Sequence, residues 1–404
     1  MEYNDALNLA LHYVTKKKEI ESINTEASLN RVLAEDISCL RDLPPFNNSA
    51  MDGYAFKHKD ITKALNIVDT ILAGDNRKLK LNEGECFKIM TGAKVPNDCD
   101  TIAPREICEI KNNKVTIKKD IKLGNAIRLK GEEQKKGITL LKKGDLLTAP
   151  KIALLASQGI QQIKCYKELD IAIISTGNEL KELNQKANEE ELYNINGINI
   201  KTHLKQYGLD AKYIGVLQDN LEESKEMFKK LQKFDIIIST GGVSKGDADF
   251  TKQALLSNNF KEIFHGINIK PGHPVLIGKM KDSFVISLPG NPLAAIIQLI
   301  ILALPIIFKA RGLNKIYLET QNAIITEDLK LKPNRTNVVL GNLENGKFTS
   351  YQNNKYGSGM ITPLVESNSL VIFNQNRDSV TKGSNINIIP LNSLAITDHY
   401  NYNN

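Results

Sequence analysis

The sequence predicts a multidomain protein of the α/β plus β class, in which a central α/β domain with a parallel-type sheet is flanked by β-rich regions. Apolar strands alternate with helical patterns between residues 169 and 242, as in a parallel sheet covered by helices on both faces. Short alternating runs, punctuated by glycine and aspartate, occupy residues 60–147 and return from about residue 318. The length of 404 residues allows about two to four domains.

The N-terminal segment, residues 3–35, has apolar side chains at helical spacing and is predicted to be helical. Those side chains are Ala6, Leu7, Ala10, Leu11, Val14, Leu29, Val32 and Leu33. The runs NKVTIKKDIKL and TLLKKGDLLT predict a β-rich region. ALLASQG, at 153–159, predicts a short helix that ends at a glycine.

The central region contains three apolar strands, LDIAIISTGNEL, AKYIGVLQD and FDIIISTGG, separated by the predicted helices NGINIKTHLKQYG and LEESKEMFKKLQK. Two of these strands end in the same Ser-Thr-Gly turn, which also suits ordinary strand ends because these residues form turns readily. In open α/β sheets ligands bind at this edge. LAAIIQLIILALPIIF, at 293–308, is shorter than the roughly 20 residues of a membrane span and contains Gln298 and Pro305, so a buried helix is predicted.

The net charge and the cysteine content of the chain narrow the class of protein. The net charge of +7 is spread over many lysines with no basic stripe interleaved with aromatics, which argues against nucleic acid and weakly favours acidic or phosphorylated ligands. The five cysteines form no CxxC pair and no zinc-like spacing, which suits a reducing cytosol. The N-terminus lacks the basic and apolar regions of a signal peptide. We therefore expect a cytoplasmic protein with no membrane span.

Two polar segments in the first third of the chain have alternative interpretations. PPFNNSAMDGYAF, at 44–56, groups polar side chains around Asp52, or it is a turn in which Asp52-Gly53 closes a hairpin. KIMTGAKVPNDCDTIAPRE, at 88–106, places Thr91 after an apolar strand, and acids follow. It also reads as a strand, a turn and a solvated acidic loop.

The two Ser-Thr-Gly turns carry the strongest chemical signals. In STGNEL, Glu179 follows the turn at a possible helix start, where an acid is either a metal ligand or a cap. In STGGVSKGDADF, Gly241 to Gly246 has the spacing of a phosphate loop, but Asp247 stands where a Walker A loop needs lysine. Its acids could hold Mg²⁺, which prefers carboxylates and phosphate oxygens. The alternative is a glycine-rich turn before a solvated acidic helix start.

A third element comes from IKPGHPVLIGK, at 269–279, and ISLPGNPLAA, at 286–295. Lys270 and Lys279 can meet phosphate, and His273 can assist, or the lysines are surface charge. Pro-Gly-Asn-Pro predicts a rigid turn before the buried helix. The histidines lack metal-binding spacing.

Taken together and in this order, these segments resemble the MoeA family of molybdopterin molybdenumtransferases over nearly the whole chain. The matching segments are PPFNNSAMDGYAF, MTGAKVPNDCDTI, RLKGEE, STGNEL, STGGVSKGDADF, IKPGHP and LPGNP. The resemblance implies four domains: a discontinuous helical and dimerisation domain (1–43 plus 131–166), a β-rich insert (44–130), a MogA-like α/β molybdopterin-binding domain (167–315) and a C-terminal β domain (316–404). It also implies a homodimer, with molybdopterin adenylyltransferase and cofactor-free molybdoenzymes as further partners.

The resemblance implies that adenylylated molybdopterin and molybdate are the substrates, that AMP leaves and that Mg²⁺ assists. On this basis the phosphates and the ligand contact Ser239, Thr240, Gly241, Gly242, Ser244, Lys245, Lys270, His273, Pro289, Asn291 and Arg128. The catalytic residues would be Asp52, Thr91, Glu179, Asp219 and Asp249, of which Glu179, Asp219 and Asp249 are the expected metal ligands. Asp52 and Thr91 would come from the partner subunit.

Three positions depart from the family pattern. Asn178 replaces an aspartate, Glu133 of the GEE segment replaces an aspartate, and His273 replaces a lysine of KPGKP. The last change exchanges a fixed cation for a side chain whose charge varies near neutral pH. Alternatives to a molybdenum insertase are a divergent paralogue that binds molybdopterin or handles tungstate, an adenylyltransferase, and a scaffold protein. The additional domains argue against the adenylyltransferase.

Overall fold

The computed structural model describes residues 1–17, 19–243 and 250–391, and the predicted ligands Ser244, Lys245 and Asp249, together with Asp247, lie outside these ranges. The chain begins with helix α1 and two strands: α1 (Tyr3–Tyr13), β1 (Ile20–Asn24) and β2 (Ile37–Ser38). Helix α1 buries Leu7 and Leu11 against the core of the central sheet. Its apolar positions recur every three or four residues, so they share one face.

The prediction of a helix over 3–35 is wrong beyond Tyr13. Residues 20–24 form a strand, and Val32 and Leu33 make isolated β-bridges to Leu146 and Cys165. Asn30 has a φ of 62°, which a helix does not accommodate. The helical spacing of Val32 and Leu33 is therefore coincidental, and their burial comes from bridges to residues more than a hundred positions away.

The next region contains a six-stranded sheet with the order β7-β4-β6-β5-β9-β8. Its strands, with two short flanking strands, are β3 (Asn48–Ser49), β4 (Gly53–Phe56), β5 (Leu65–Ile71), β6 (Glu85–Ile89), β7 (Thr101–Pro104), β8 (Cys108–Lys111), β9 (Lys114–Ile117) and β10 (Ile127–Arg128). All four residues of β4 are buried because separate apolar clusters cover the two faces: Tyr54 and Phe56 belong to one, Ala55 to the other.

The chain then returns to its N-terminal strands. This part consists of β11 (Thr139–Leu141), α2 (Ala149–Ser157) and β12 (Gln162–Tyr166). β12 pairs antiparallel with β1, and β11 pairs antiparallel with β2. Two sequence-distant segments therefore form one unit, and the short helix predicted before Gly159 is present.

The central sheet has the order β16-β13-β17-β21-β20-β18. Its region contains β13 (Ile171–Thr176), β14 (Leu180–Lys181), β15 (Leu192–Tyr193), α3 (Ile195–Gln206), β16 (Lys212–Leu217), α4 (Leu221–Leu231), β17 (Ile236–Thr240), α5 (Phe250–Ser257), β18 (Phe260–His265), β19 (Ile269–Lys270), β20 (Leu276–Met280) and β21 (Ser283–Leu288). Alternate residues face opposite clusters: Ile173 and Ile238 lie on one side, Ile174 and Ile237 on the other. Both faces are covered, so the strands read as continuous apolar runs.

The parallel arrangement predicted for the three apolar strands holds for β16, β13 and β17. A fourth strand, β21, extends it, whereas β20 and β18 are antiparallel. β20 and β21 are joined by only Lys281 and Asp282, and a two-residue connection can link only antiparallel strands. Lys281 has a φ of 60°, as such a tight turn requires.

The predicted buried helix follows β21 and runs from Pro292 to Ala310. It comprises α6 (Pro292–Gln298), a π-helical turn (Leu299–Ala303) and α7 (Leu304–Ala310). Among the described residues it is the one helix long and apolar enough to cross a membrane, and 89% of its most apolar window is buried inside the protein. This burial agrees with the predicted core helix.

The C-terminal region is the predicted β structure. It consists of β22 (Gln321–Ile325), β23 (Leu329–Lys330), β24 (Thr336–Glu344), β25 (Lys347–Ser350), α8 (Thr362–Val365), β26 (Ser369–Phe373), β27 (Ser379–Val380) and β28 (Asn385–Pro390). Strands β24, β25, β22, β28 and β26 pair in a closed ring. β19 of the central region pairs with β24, so the loop after Lys270 lies at the junction of the two regions.

Candidate functional site

A cavity of about 840 Å³ lies at the carboxyl edge of the parallel strands. Its walls come from the ends of β13, β16 and β17, the loop after β21 and the start of α3. The predicted site residues in this lining are Glu179, Asp219, Thr240, Gly241, Gly242, Pro289 and Asn291. Since β13, β17 and β21 are consecutive parallel strands, their ends meet at one edge, which is where α/β sheets bind ligands.

The two Ser-Thr-Gly turns pack directly against each other. Gly241 has a φ of 91°, and a Cβ at this residue would lie 2.5 Å from the Thr176 carbonyl oxygen. Gly242 has a φ of 60°, and its Cβ would lie 2.2 Å from Thr251 Oγ1. Glycine is therefore required at both positions by the backbone conformation and by the space.

Thr240 joins three elements beneath the cavity. Its Oγ1 donates to the Pro289 carbonyl (2.9 Å) and accepts from Asn196 Nδ2 (2.9 Å), which also donates to the Gly290 carbonyl (2.7 Å). Thr240 and Asn196 are both buried. The Thr240 hydroxyl therefore fixes the relative positions of β17, α3 and the Pro-Gly-Asn-Pro loop, and the glycines after it form the surface offered to a ligand.

The assignment of Ser239 to ligand binding is not supported by its position. Ser239 is fully buried, does not line the cavity, and its Oγ donates to Ser287 Oγ on the neighbouring strand (2.7 Å). Successive residues of a strand point to opposite faces, so Ser239 and Thr240 cannot both face the same environment.

Glu179 and Asp219 bring two carboxylates to the large cavity. The Glu179 carboxylate folds back over Gly177, where a Cβ would lie 2.7 Å from both of its oxygens. The backbone N–H of Asp219 donates to Asn178 Oδ1 (2.8 Å). Asn178 thus keeps the acceptor oxygen that an aspartate would supply and removes one negative charge. No group of three or more His, Cys, Asp or Glu side chains able to hold a metal occurs in the described ranges, which exclude Asp249.

A second, smaller cavity of about 340 Å³ adjoins the first, and both are lined by Pro274, Pro289 and Asn291. We call it the oxyanion cavity, and its polar lining comprises Lys270, His273, Asn291, Arg335, Asn337, Asn354 and Ser358. None of the described residues that line it is acidic, so the described lining carries positive charge. His273 Nδ1 donates to the Ile267 carbonyl (2.6 Å), which orients the ring at the cavity wall.

The oxyanion cavity is formed by residues of both the central region and the C-terminal region. Asn291 Nδ2 donates to Ser358 Oγ (2.9 Å), and β19 pairs with β24 through Lys270 and Asn337. Lys279, which the sequence offered as a second phosphate-binding lysine, is elsewhere: its Nζ donates to Thr15 Oγ1 (3.0 Å) beneath the opposite edge of the sheet. The loop after Lys270 leads into β20, and β20 places Lys279 away from the cavity.

Asp52, Thr91 and Arg128 lie in the six-stranded region and line neither cavity. Asp52 Oδ1 accepts from both the backbone N–H (2.8 Å) and the Oγ1 (2.7 Å) of Thr91. These two hydrogen bonds lower the pKa of the Asp52 carboxyl, and the bond from the backbone N–H has the larger effect. The nearby charges of Arg105 and Lys88 lower it further. Arg128 on β10 pairs with Asn48 on β3. All three residues are exposed, and the lowered pKa keeps the Asp52 carboxylate ionised at neutral pH.

We expect Thr91→Val to raise the pKa of Asp52 part of the way to its ordinary value, because the backbone bond remains. A depressed carboxyl pKa stabilises the fold above the unfolded-state pKa, near 3.9, and this contribution is lost as the pH falls through the folded-state pKa. The variant should therefore be less stable than the native protein at neutral pH and approach it in acid. Carboxyl NMR titration measures the pKa directly, and an unchanged Asp52 pKa would disprove the role of the hydroxyl.

Several residues of the two cavities were not identified from the sequence. Asn196, Arg335, Asn337 and Ser358 have no distinguishing motif. Only Asn194, which caps α3 by accepting from the Gly197 N–H, could have marked the helix start that carries Asn196. The others come from the C-terminal region and reach the site only through tertiary packing.

Three family models match consecutive parts of the chain. They are the MoeA N-terminal region (domain I and II) over residues 1–159, a probable molybdopterin binding domain over 172–309, and the MoeA C-terminal region (domain IV) over 322–391. The order is the one that the sequence motifs imply.

Similar proteins and structures agree with these matches. The molybdopterin molybdenumtransferase of Haemophilus influenzae is 33% identical over 384 residues, which covers 93% of this chain and 95% of that protein. That of Nostoc sp. is 29% identical over 408 residues, covering 96% and 93%. A crystal structure of the molybdopterin biosynthesis MoeA protein from Pyrococcus horikoshii has a TM-score of 0.83 at 26% identity and covers 96% of this chain and 99% of that one. Another crystal structure of a molybdopterin biosynthesis MoeA protein from Pyrococcus horikoshii has a TM-score of 0.78 at 27% identity and covers 98% of this chain and 100% of that one.

The resemblance that the motifs suggested is therefore confirmed, and the chain belongs to the MoeA family of molybdopterin molybdenumtransferases, which are enzymes of molybdenum cofactor biosynthesis.

Proposed function

We propose that the protein transfers molybdenum from molybdate to adenylylated molybdopterin and that AMP leaves in an Mg²⁺-dependent step. The observation that carries this proposal is the pair of adjoining cavities. The large cavity lies at the carboxyl edge of the parallel strands, where α/β sheets bind ligands, and the small cavity is lined by cationic side chains. Two substrates of different size, both anionic, would then meet at the shared wall formed by Pro274, Pro289 and Asn291.

The large cavity suits the organic substrate. Its volume of about 840 Å³ is within the range of roughly 300–1,000 Å³ for small-molecule sites. Gly241 and Gly242 have no side chains, so a phosphate can approach their backbone closely. Ser244 and Lys245, in the same predicted phosphate loop, would complete the contacts.

The oxyanion cavity suits molybdate. Lys270 and Arg335 supply fixed positive charges, and Asn337 and Ser358 supply neutral donors. Arginine offers several N–H donors in a plane, and lysine a compact charge, so the two together can hold a tetrahedral dianion.

Magnesium fits the donor set of the large cavity. Mg²⁺ typically takes one or two carboxylates and completes its shell with phosphate oxygens and water, and Glu179 and Asp219 supply such carboxylates. Asp249 is the proposed third ligand. When bound, the ion would polarise the phosphoanhydride. The protein's own contribution is to hold these acids beside the phosphate loop.

Further proposals concern the assembly, the domains and the location of the protein. We propose a homodimer in which a second copy brings Asp52, Thr91 and Arg128 to the open side of the large cavity, since these residues line neither of the two site cavities in the described part of their own chain. The proposed domains are 1–43 with 131–166, 44–130, 167–315 and 316–404. Partners would be molybdopterin adenylyltransferase and cofactor-free molybdoenzymes. All five cysteines are free thiols, which supports a cytoplasmic location.

The test is release of AMP from purified protein supplied with adenylylated molybdopterin, Mg²⁺ and molybdate, together with activation of a cofactor-free molybdoenzyme. AMP release that requires both molybdate and Mg²⁺ is the expected result. Tight binding of the adduct without AMP release would disprove the proposal. Preferential release with tungstate would assign a different oxyanion to the same site.

We expect His273→Lys to strengthen molybdate binding, because lysine places a permanent positive charge at the wall of the oxyanion cavity. A fixed charge at a partly exposed site is worth about 1 kcal/mol, or roughly fivefold in affinity. Calorimetric titration with molybdate provides the measurement, and an unchanged affinity would contradict the expectation.

The matched control is His12→Lys, which adds the same charge on α1, outside both cavities. It should leave the molybdate affinity unchanged. An equal gain in both variants would mean that net charge, and not the oxyanion cavity, controls binding.

A further inference from the structure

Gln298 is a polar residue with no evident role in folding. It is fully buried in the core helix, among apolar neighbours in sequence. Its Oε1 is buried and has no hydrogen-bond partner within residues 1–17, 19–243 and 250–391. A buried carbonyl oxygen without a partner destabilises a fold, so an apolar side chain of the same size would suit this core better. The stability of the helix therefore does not explain the glutamine.

The side chain does contact the loop that forms one wall of the oxyanion cavity. Gln298 Nε2 donates to the Pro271 carbonyl (3.3 Å). Gly272 rests on the same amide: it has a φ of 101°, and a Cβ at this residue would lie 2.5 Å from Nε2. Gln298 thus supports both residues that stand between Lys270 and His273, which line the cavity.

The helix that carries Gln298 also holds the opposite wall. Its first turn, from Pro292, follows the Pro289–Asn291 loop and places Leu293 and Ala294 in the lining. Directly after Gln298 the helix widens into the π-helical turn Leu299–Ala303. Such turns are often found at functional sites. One buried element therefore sets the positions of two walls.

We propose that Gln298 is a positioning residue for oxyanion binding. It holds the Lys270–His273 loop in the position in which the side chains of Lys270 and His273 can contact molybdate. Gln298 does not line the cavity, so it acts through the loop and not by contact with the ligand. The inference rests on the proposed function, because that function assigns molybdate to the cavity.

The test is Gln298→Met, which keeps the size of the side chain and removes its hydrogen bond. We expect the KM for molybdate to rise about tenfold while kcat at saturating molybdate stays within about twofold, since a support for binding is lost and the chemistry is not. The thermal midpoint should change little, because loss of the bond to the Pro271 carbonyl is offset by removal of the unpartnered oxygen. Hydrogen exchange should become faster in residues 269–275 alone.

The control is Gln158→Met. Gln158 is also buried, but its Oε1 accepts from the backbone N–H groups of Leu40 (2.9 Å) and Arg41 (3.1 Å), and none of these residues lines either cavity. This variant should have a lower midpoint and an unchanged KM. If Gln298→Met behaves in the same way, its role is structural and the inference is wrong.

The two proposals can fail separately. A native protein without molybdate-dependent AMP release would disprove the proposed function. The exchange experiment then decides about Gln298, because faster exchange confined to 269–275 supports its positioning role and unchanged exchange disproves it. A native protein with that activity, and a Gln298→Met variant with an unchanged KM, would disprove the inference alone.

Discussion

Gly241→Ala should lower molybdate-dependent AMP release by about a hundredfold or more, because the phosphate loop cannot keep its position. The residue has a φ of 91°, and an added Cβ would lie 2.5 Å from the Thr176 carbonyl oxygen and 2.9 Å from Thr176 Oγ1. The carbonyl belongs to the neighbouring strand end and cannot move as a flexible side chain would. The two Ser-Thr-Gly turns must then separate, which displaces Gly242 and the start of the loop.

Stability should fall less severely than activity. An alanine with positive φ costs about 1–3 kcal/mol of unfolding free energy, and a loop at the sheet edge can shift outward to relieve the clash. Urea unfolding followed by circular dichroism, together with the AMP assay, separates the two effects. A folded Gly241→Ala variant with native activity would show that the turn–turn contact does not shape the site.

Gly346→Ala is the matched control. Gly346 lies in the turn between β24 and β25 and has a φ of 73°. Apart from its two chain neighbours, no described residue has an atom within 4 Å of where its Cβ would be. This substitution imposes a similar backbone strain without a clash and away from both cavities. It should lower stability while leaving AMP release unchanged, so the comparison isolates the steric effect at the site.

The central sheet was predictable because its signals are local. Strands buried on both faces are continuous apolar runs, and the amphipathic helices between them require parallel neighbours. The failures arose where long-range contacts override local spacing. Val32 and Leu33 have helical spacing but form β-bridges to residues 146 and 165. The antiparallel hairpin of β20 and β21 depends on a two-residue turn that no Gly-rich motif marks.

The site was predictable only in part, for the same reason. Glu179 and Asp219 follow recognisable strand ends, so the carboxyl-edge rule brings them together. The resemblance places both Ser239 and Thr240 at the ligand, although the strand alternation sends their side chains to opposite faces. Arg335 comes from a region whose docking against the sheet no local pattern encodes. Gln298 looked like an interruption of an apolar helix, and its contact with Pro271 is visible only in three dimensions.

Glu179→Gln and Asp219→Asn should each lower AMP release at limiting Mg²⁺ by about two to three orders of magnitude, in line with loss of a metal that polarises a phosphoanhydride. Both carboxylates line a cavity that is proposed to hold anionic phosphates, and without a cation they would repel these groups. Two acids beside an anion site are therefore expected to act through a metal. Each substitution preserves the shape of its side chain, so the main change is one negative charge.

The dependence on Mg²⁺ concentration distinguishes metal binding from a structural role. If the acids hold the ion, each variant should need a higher Mg²⁺ concentration for half-maximal AMP release, and excess Mg²⁺ should recover part of the lost rate. Asn178 already supplies a neutral oxygen to the Asp219 N–H, so the backbone around Asp219 should be preserved in Asp219→Asn. Asp210→Asn, which removes an exposed carboxylate in the loop before β16, should change neither the rate nor the Mg²⁺ requirement. A lower rate with an unchanged Mg²⁺ requirement in both site variants would exclude these acids as metal ligands. The ion would then be held elsewhere, and the carboxylates would act on the substrates directly.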